Sequence, residues 1–155
     1  MTVYLVNGEE RKPLNGEAKT NWIMPCKGRI TSQYGNRMHP VLKRIIFHEG
    51  IDISVPKGTP VKAVADGTVV RKLWNSGYGR YIEIDHGGGL SSFYGHLNSY
   101  NVEINQKVKQ GQIIAKSGNS AGIDKKTGKV LTTGAHLHLG AKKNGIRTNP
   151  LLYIK

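Results

Sequence analysis

Cysteine, acidic residues and long apolar runs are all scarce in this chain. The single cysteine, Cys26, excludes an internal disulfide framework and a cysteine-based zinc site. No apolar run approaches the ~18 residues that a membrane-spanning helix needs, so insertion into a membrane by helices is excluded. The opening residues Met1–Glu10 lack the basic region and the apolar stretch of a secretory signal. A chain of this kind working outside a cell would be released or delivered by another route, or be an excised domain. No window of ten or more residues carries a convincing amphipathic helix period. Asp and Glu number 10 against 23 Lys and Arg, leaving a formal net charge of +13.

What is present points to a small β protein. A length of 155 residues suits one core and a monomer. Glycine, 20 of the 155 residues, is well above the usual ~7% and falls between short strand-like runs. Val61–Ala65 and Thr68–Leu73 flank Asp66-Gly67, a tight-turn signal. Arg80–Asp85 alternates, and Gly87-Gly88-Gly89 turns the chain into Leu90–Leu97. Gln112–Lys116 and His136–Lys142 are further strand candidates, and the tail after Asn149 has room for one helical turn. The expected class is mainly β: an antiparallel sandwich or barrel-like core with long loops and few or no long helices. Residues 1–27 are polar and breaker-rich and read as an arm packed beside a domain of residues 28–155. Ala121–Thr133 reads as a long loop.

The positive charge calls for an anionic partner: nucleic acid, acidic lipid, or a bacterial wall polymer bearing carboxylates and phosphates. The basic residues are spread along the chain, with no arginine-rich stretch interleaved with aromatics, so no specific nucleic-acid binding is expected.

The chemistry concentrates in histidine. His48 and Asp52 lie four apart and share a face in a strand or in a helix. His136-Leu137-His138 puts two imidazoles on one strand face. Imidazole and carboxylate suit zinc, and a catalytic zinc keeps three protein ligands and an open position. Two histidines and one aspartate would leave the centre at net +1, favouring a water of lowered pKa. Spacing alone leaves open which histidines bind metal. The His-Glu-x-x-His signature is absent, because position 52 carries no histidine after His48-Glu49.

Over roughly residues 28–150 the chain resembles the lysostaphin-type, or LytM-like, zinc endopeptidases of bacterial peptidoglycan. The carriers are Ile30–Pro40, His48-x-Gly50-x-Asp52, Gly58-Thr59-Pro60, Ala65–Val69, Gly77-Tyr78-Gly79, Asp85-His86-Gly87, Tyr94-Gly95-His96-Leu97, Val108–Gln112, Gly118-Asn119-Ser120, His136-Leu137-His138 and Asn149-Pro150. The resemblance implies one zinc per chain held by His48, Asp52 and His138. It implies His96 and His136 as catalytic histidines, one to orient or deprotonate water and the other to stabilise the oxyanion, without saying which does which. It implies a peptide stem or cross-bridge of peptidoglycan as substrate, either a glycine–glycine bridge or a D-alanyl–diaminopimelate link, and action at the cell wall; a phage lysin or tail-associated wall hydrolase fits the chain, and so does the excised domain of a secreted enzyme. A rival within the family is a catalytically silent module that binds or activates other wall proteins; such modules lack ligands, and all five positions are filled here. His39 reads as a loop residue within reach of a groove edge and His86 as structural. Tyr94, Trp22 and Trp74 read as packing residues. No substrate-binding residue is assigned.

Overall fold

The computed structural model describes residues 4–6, 9–11, 21–39, 41–121 and 134–155. In chain order the strands are β1 (Tyr4–Val6), β2 (Glu9–Arg11), β3 (Arg29–Ser32), β4 (Gly35–Met38), β5 (Ile45–His48), β6 (Gly50–Ser54), β7 (Pro60–Lys62), β8 (Gly67–Asn75), β9 (Gly79–Asp85), β10 (Leu90–Tyr100), β11 (Lys107–Val108), β12 (Ile113–Ser117), β13 (His136–Lys143) and β14 (Ile146–Thr148). One 3₁₀ turn, Pro150–Leu152, follows, capped by the Asn149 side chain on the Leu151 N–H. The fold is mainly β and antiparallel, as the composition predicts. The expected 121–133 loop, beyond Ala121, lies outside the described residues, as do residues 12–20 of the expected arm.

Ten strands form one sheet in the order β11-β8-β9-β10-β13-β6-β3, with β12 joining β10 to β7 and β14 edging β13. β4 and β5 form a separate hairpin, as do β1 and β2. The sheet branches at β10. Residues Leu90–Gly95 lie against β13, whereas Leu97–Tyr100 pair with β12. Between the two halves the register against β9 slips, Tyr94 facing Ile82 and Leu97 facing Arg80, so one extra residue sits on β10. A bulge of this kind bends its strand and lets it serve two sheet segments. The result is a branched antiparallel sheet, within the mainly β class expected from the sequence.

The core is built largely from apolar strand residues. Ile51, Ile53, Ile82, Ile84, Leu137 and Leu139 are fully buried, each worth roughly 1.5–3 kcal/mol relative to exposure. Trp22 is also fully buried, between Tyr153 and His86. Its backbone donates to Tyr153 and accepts from Lys155, tying the end of the chain to the core. Residues 21–27 of the expected arm therefore contribute Trp22 and Cys26 to the interior.

One local expectation changes. The chain turns at Asp66-Gly67, but the flanking runs do not pair with each other: β7 joins β12 and β8 joins β9. Neither residue has the positive φ that a tight hairpin turn requires. Ala63, Val64 and Ala65 instead carry the chain through the core to its next strand. Gly87-Gly88-Gly89 does form the β9–β10 turn, with φ of 84°, 60° and 79°.

Candidate active site

The site lies on the sheet face covered by the β4–β5 hairpin. Antiparallel pairing puts Asp52 of β6 directly opposite His138 of β13, and His136 opposite Ser54. Directly opposed residues share a face, so the alternation that buries Leu137 in the core turns both histidines outward from it. His48 ends β5 one residue before β6 begins, which returns it to the same place.

Donor atoms of His48, Asp52 and His138 all lie within 4.8 Å of one another, and all three side chains are buried. Asp52 Oδ1 is 3.3 Å from His48 Nε2 and 3.1 Å from His138 Nδ1. Gly50 makes room for the cluster: a Cβ there would meet the Leu139 carbonyl and come within 2.8 Å of the His138 ring. Tyr78 stacks on that ring at 4.7 Å and hydrogen-bonds Glu49 Oε2 at 2.9 Å. Burial pushes the Tyr78 phenol up to about 12, with Arg147 opposing and Glu49 reinforcing the rise.

The hydrogen bonds fit a cation at this point. His48 Nδ1 is 2.9 Å from the Gln33 carbonyl oxygen, which can only accept, so the proton sits on Nδ1. Nε2 then presents a lone pair to a carboxylate oxygen, an arrangement that calls for a positive charge between them. The other nitrogen of His138, Nε2, is buried without a partner. A neutral nitrogen pair and a carboxylate oxygen, with an outer carbonyl orienting one imidazole, make a donor set suited to zinc. Burial opposes ionisation of Asp52. The neighbouring His138 and His48 outweigh it and hold the carboxyl well below the usual carboxylate range. Burial also lowers the His138 pKa against the pull of Asp52, which keeps the ring neutral.

His96 and His136 stand beside this cluster, their rings 4.5 Å apart. His96 occupies the β10 bulge with φ of +58°, a left-handed backbone that non-glycine residues rarely adopt. Its backbone donates to the Tyr78 carbonyl, and its Nδ1 donates to the Ser120 carbonyl at 2.6 Å. The bulge therefore re-aims the ring out of the strand alternation and leaves Nε2 as the free acceptor. Burial, reinforced by the neighbouring His136, pushes the His96 pKa down to about 4. His136 Nδ1 donates to the Gly134 carbonyl at 2.8 Å, and its Nε2 lies 3.7 Å from Asp52 Oδ1.

All five side chains picked out in the sequence thus border one groove of about 920 Å³. His39 lines it too, with its Nδ1 accepting from the Val41 and Leu42 N–H groups. His86 is remote, between the Asp66 carbonyl and Ser92. The sequence reading gave no role to Tyr78, Glu49, Arg147 or Arg37, and their spacing along the chain carried no signal of convergence.

A buried trio of zinc-type donors flanked by two tautomer-fixed histidines in a β groove defines a metallopeptidase-type centre. A family model described as Peptidase family M23 matches residues 46–150, and the chain belongs to that family of zinc metallopeptidases. It is 39% identical over 123 residues to the DD-carboxypeptidase/endopeptidase Mpg of Neisseria meningitidis, covering 79% of this chain and 26% of that protein. The fold is similar to a zinc containing peptidase from Vibrio cholerae, with a TM-score of 0.71, 29% identity, and coverage of 87% of this chain and 39% of that one. It is also similar to the catalytic domain of the antimicrobial peptidase lysostaphin from Staphylococcus simulans, with a TM-score of 0.67, 29% identity, and coverage of 80% and 90%. The chain spans about a quarter of the length of the curated relatives it first matches.

Proposed function

We propose that this chain is a zinc-dependent endopeptidase that hydrolyses peptide cross-links of bacterial peptidoglycan. The observation that carries the reading is the meeting of His48, Asp52 and His138 within 4.8 Å, beside two more histidines whose Nδ1 atoms are each committed to a backbone carbonyl. Relatives support the reading, Mpg being a DD-carboxypeptidase/endopeptidase and ShyA of Vibrio cholerae a peptidoglycan DD-endopeptidase. The net charge of +13 suits a wall polymer rich in carboxylates and phosphates.

In this reading the side chains of His48, Asp52 and His138 would hold the metal. When bound, zinc supplies Lewis acidity toward the attacking water and the scissile carbonyl. The chain's own residues do the rest. Gln33 fixes the His48 tautomer through Nδ1. His96 and His136 each present Nε2 to the groove, one accepting the proton of the attacking water and the other, once protonated, donating to the developing oxyanion. Tyr78 stacks behind His138 and limits its rotation. Lysis of a target cell, as by a phage lysin acting at the wall, is the biological form of this activity that we favour.

Zinc-loaded protein incubated with purified sacculi should convert cross-linked muropeptides into monomers, read by mass spectrometry. One zinc per chain should accompany activity. Bound zinc with intact cross-links across several wall types would favour the catalytically silent wall-binding module instead.

A further inference from the structure

We infer that Arg37 is a specificity residue: its guanidinium receives a free carboxylate that the substrate carries on the carbon bearing the scissile nitrogen. This rests on the peptidase reading above and narrows it.

Arg37 lies on β4, in the hairpin that covers the groove, and lines the groove with the metal-site trio. Its Nη2 is 3.7 Å from Asp52 Oδ2, an ion-pair distance too long for a good hydrogen bond. Its Nε is buried and has no hydrogen-bond partner. A guanidinium carries five N–H donors in a rigid fork, and leaving a buried one unmet is costly. Asp52 answers it through Oδ2 alone and only at that distance, its Oδ1 being turned to His48, His138 and, further off, His136. Among the described residues the other carboxylate on the groove, Glu49, is occupied by the Tyr78 hydroxyl at 2.9 Å and by Arg147 at 3.7 Å. A half-buried cation therefore faces the groove, beside the metal-site carboxylate, with donors to spare.

The group that fits is planar, anionic and bidentate: a carboxylate. Its place beside Asp52 requires that carboxylate to sit close to the bond being cut. The D-alanyl–diaminopimelate link meets this requirement, because the carbon carrying the amide nitrogen also carries a free carboxylate. A glycine–glycine bridge cut in mid-chain offers no anion there. Lysine would supply the charge as a point, without the fork.

The test uses two synthetic cross-linked peptides, identical except that this carboxylate is free in one and a primary carboxamide in the other. Zinc-loaded wild-type protein should cleave the carboxylate form with kcat/KM roughly 10- to 100-fold higher, the range expected for hydrogen bonds to a charged group. Arg37→Gln should bring the two substrates within about threefold, by loss on the carboxylate form, with KM moving more than kcat and zinc content unchanged. Arg37→Lys should retain part of the preference. A product fragment carrying the free carboxylate should inhibit wild type and fail to inhibit Arg37→Gln. Equal cleavage of both peptides by wild type, or equal losses on both in Arg37→Gln, would overturn the assignment and leave the peptidase reading standing. Cleavage of neither peptide, together with intact sacculi, would remove both.

Discussion

Asp52 and His138 lie directly across from each other on β6 and β13, with Oδ1 and Nδ1 3.1 Å apart, although 86 residues separate them in the chain. Sheet register, and no local motif, makes this pair. Each is held by a continuous strand whose opposite face is core, through Ile51, Ile53, Leu137 and Leu139. These two members of the proposed metal site are thus as rigid as the sheet that carries them, while His48 comes from the separate β4–β5 hairpin.

His138→Ala should abolish zinc binding and activity together. Wild-type protein should gain thermal stability on adding zinc, because a ligand bound only by the folded state stabilises it by RT ln(1 + [L]/Kd). The variant should show no such rise. Zinc stoichiometry and melting curves with and without chelator check both points. A variant that kept one zinc per chain would remove His138 from the ligand set.

His96→Ala should keep its metal and lose most of the rate. Loss of a positioned acid–base group typically costs ~10²–10⁴-fold. Relief of the +58° backbone should leave the variant at least as easy to fold with glycine there, so His96→Gly makes the companion variant. Single-turnover cleavage of a defined muropeptide measures the rate, and zinc content separates this effect from ligand loss. Unchanged turnover in both variants would contradict the proposed role.

How far the sequence could be read differs between strands and side chains. The β13 segment was legible because the alternation around His136 and His138 survives any register, whereas β6 was not, since His48 and Asp52 would share a face in a strand or in a helix. The Gly87–Gly89 turn was legible because three successive positive φ values demand glycine. The Asp66-Gly67 hairpin misled, because a turn signal does not say which strands the flanking runs will join. Arg37 and Tyr78 were invisible as site residues. Arg37 reaches Asp52 through a hairpin folded over the sheet, and Tyr78 reaches His138 from the β8–β9 turn. Long-range packing, which no local spacing encodes, brings both there.

Gly50→Ala should damage the metal site without touching a donor. The added Cβ would meet the Leu139 carbonyl and the His138 ring, the latter at 2.8 Å. Overpacking of this sort costs typically ~1–3 kcal/mol, and here the ring that must yield is a proposed ligand. The expected result is a lower melting temperature and weaker zinc affinity in the same variant. Wild-type zinc affinity in Gly50→Ala would show that His138 moves without cost.

Acid should destabilise the fold partly through His86, which lies outside the proposed metal site. Its Nδ1 donates to the Asp66 carbonyl at 2.6 Å, Nε2 is 2.7 Å from Ser92 Oγ, and Trp22 packs 5.3 Å away. Burial lowers its pKa in the folded state, against the Asp66 carbonyl and the charges of Asp85 and Asp66. The unfolded chain keeps the ordinary value of about 6.5 and so binds a proton that the folded chain refuses. Stability then rises with pH wherever the unfolded state holds more protons. The His86 contribution is complete above about pH 6.5 and drains away as pH falls from there toward the lowered folded value. Buried His96 and His138 act with the same sign. Denaturant titrations of wild type and His86→Gln across pH 7.5 to 5 should therefore give a shallower acid decline in the variant, while its stability at neutral pH falls by about 0.5–1.5 kcal/mol for each hydrogen bond lost. Identical slopes would mean that His86 protonates as readily in the folded chain as in the unfolded one.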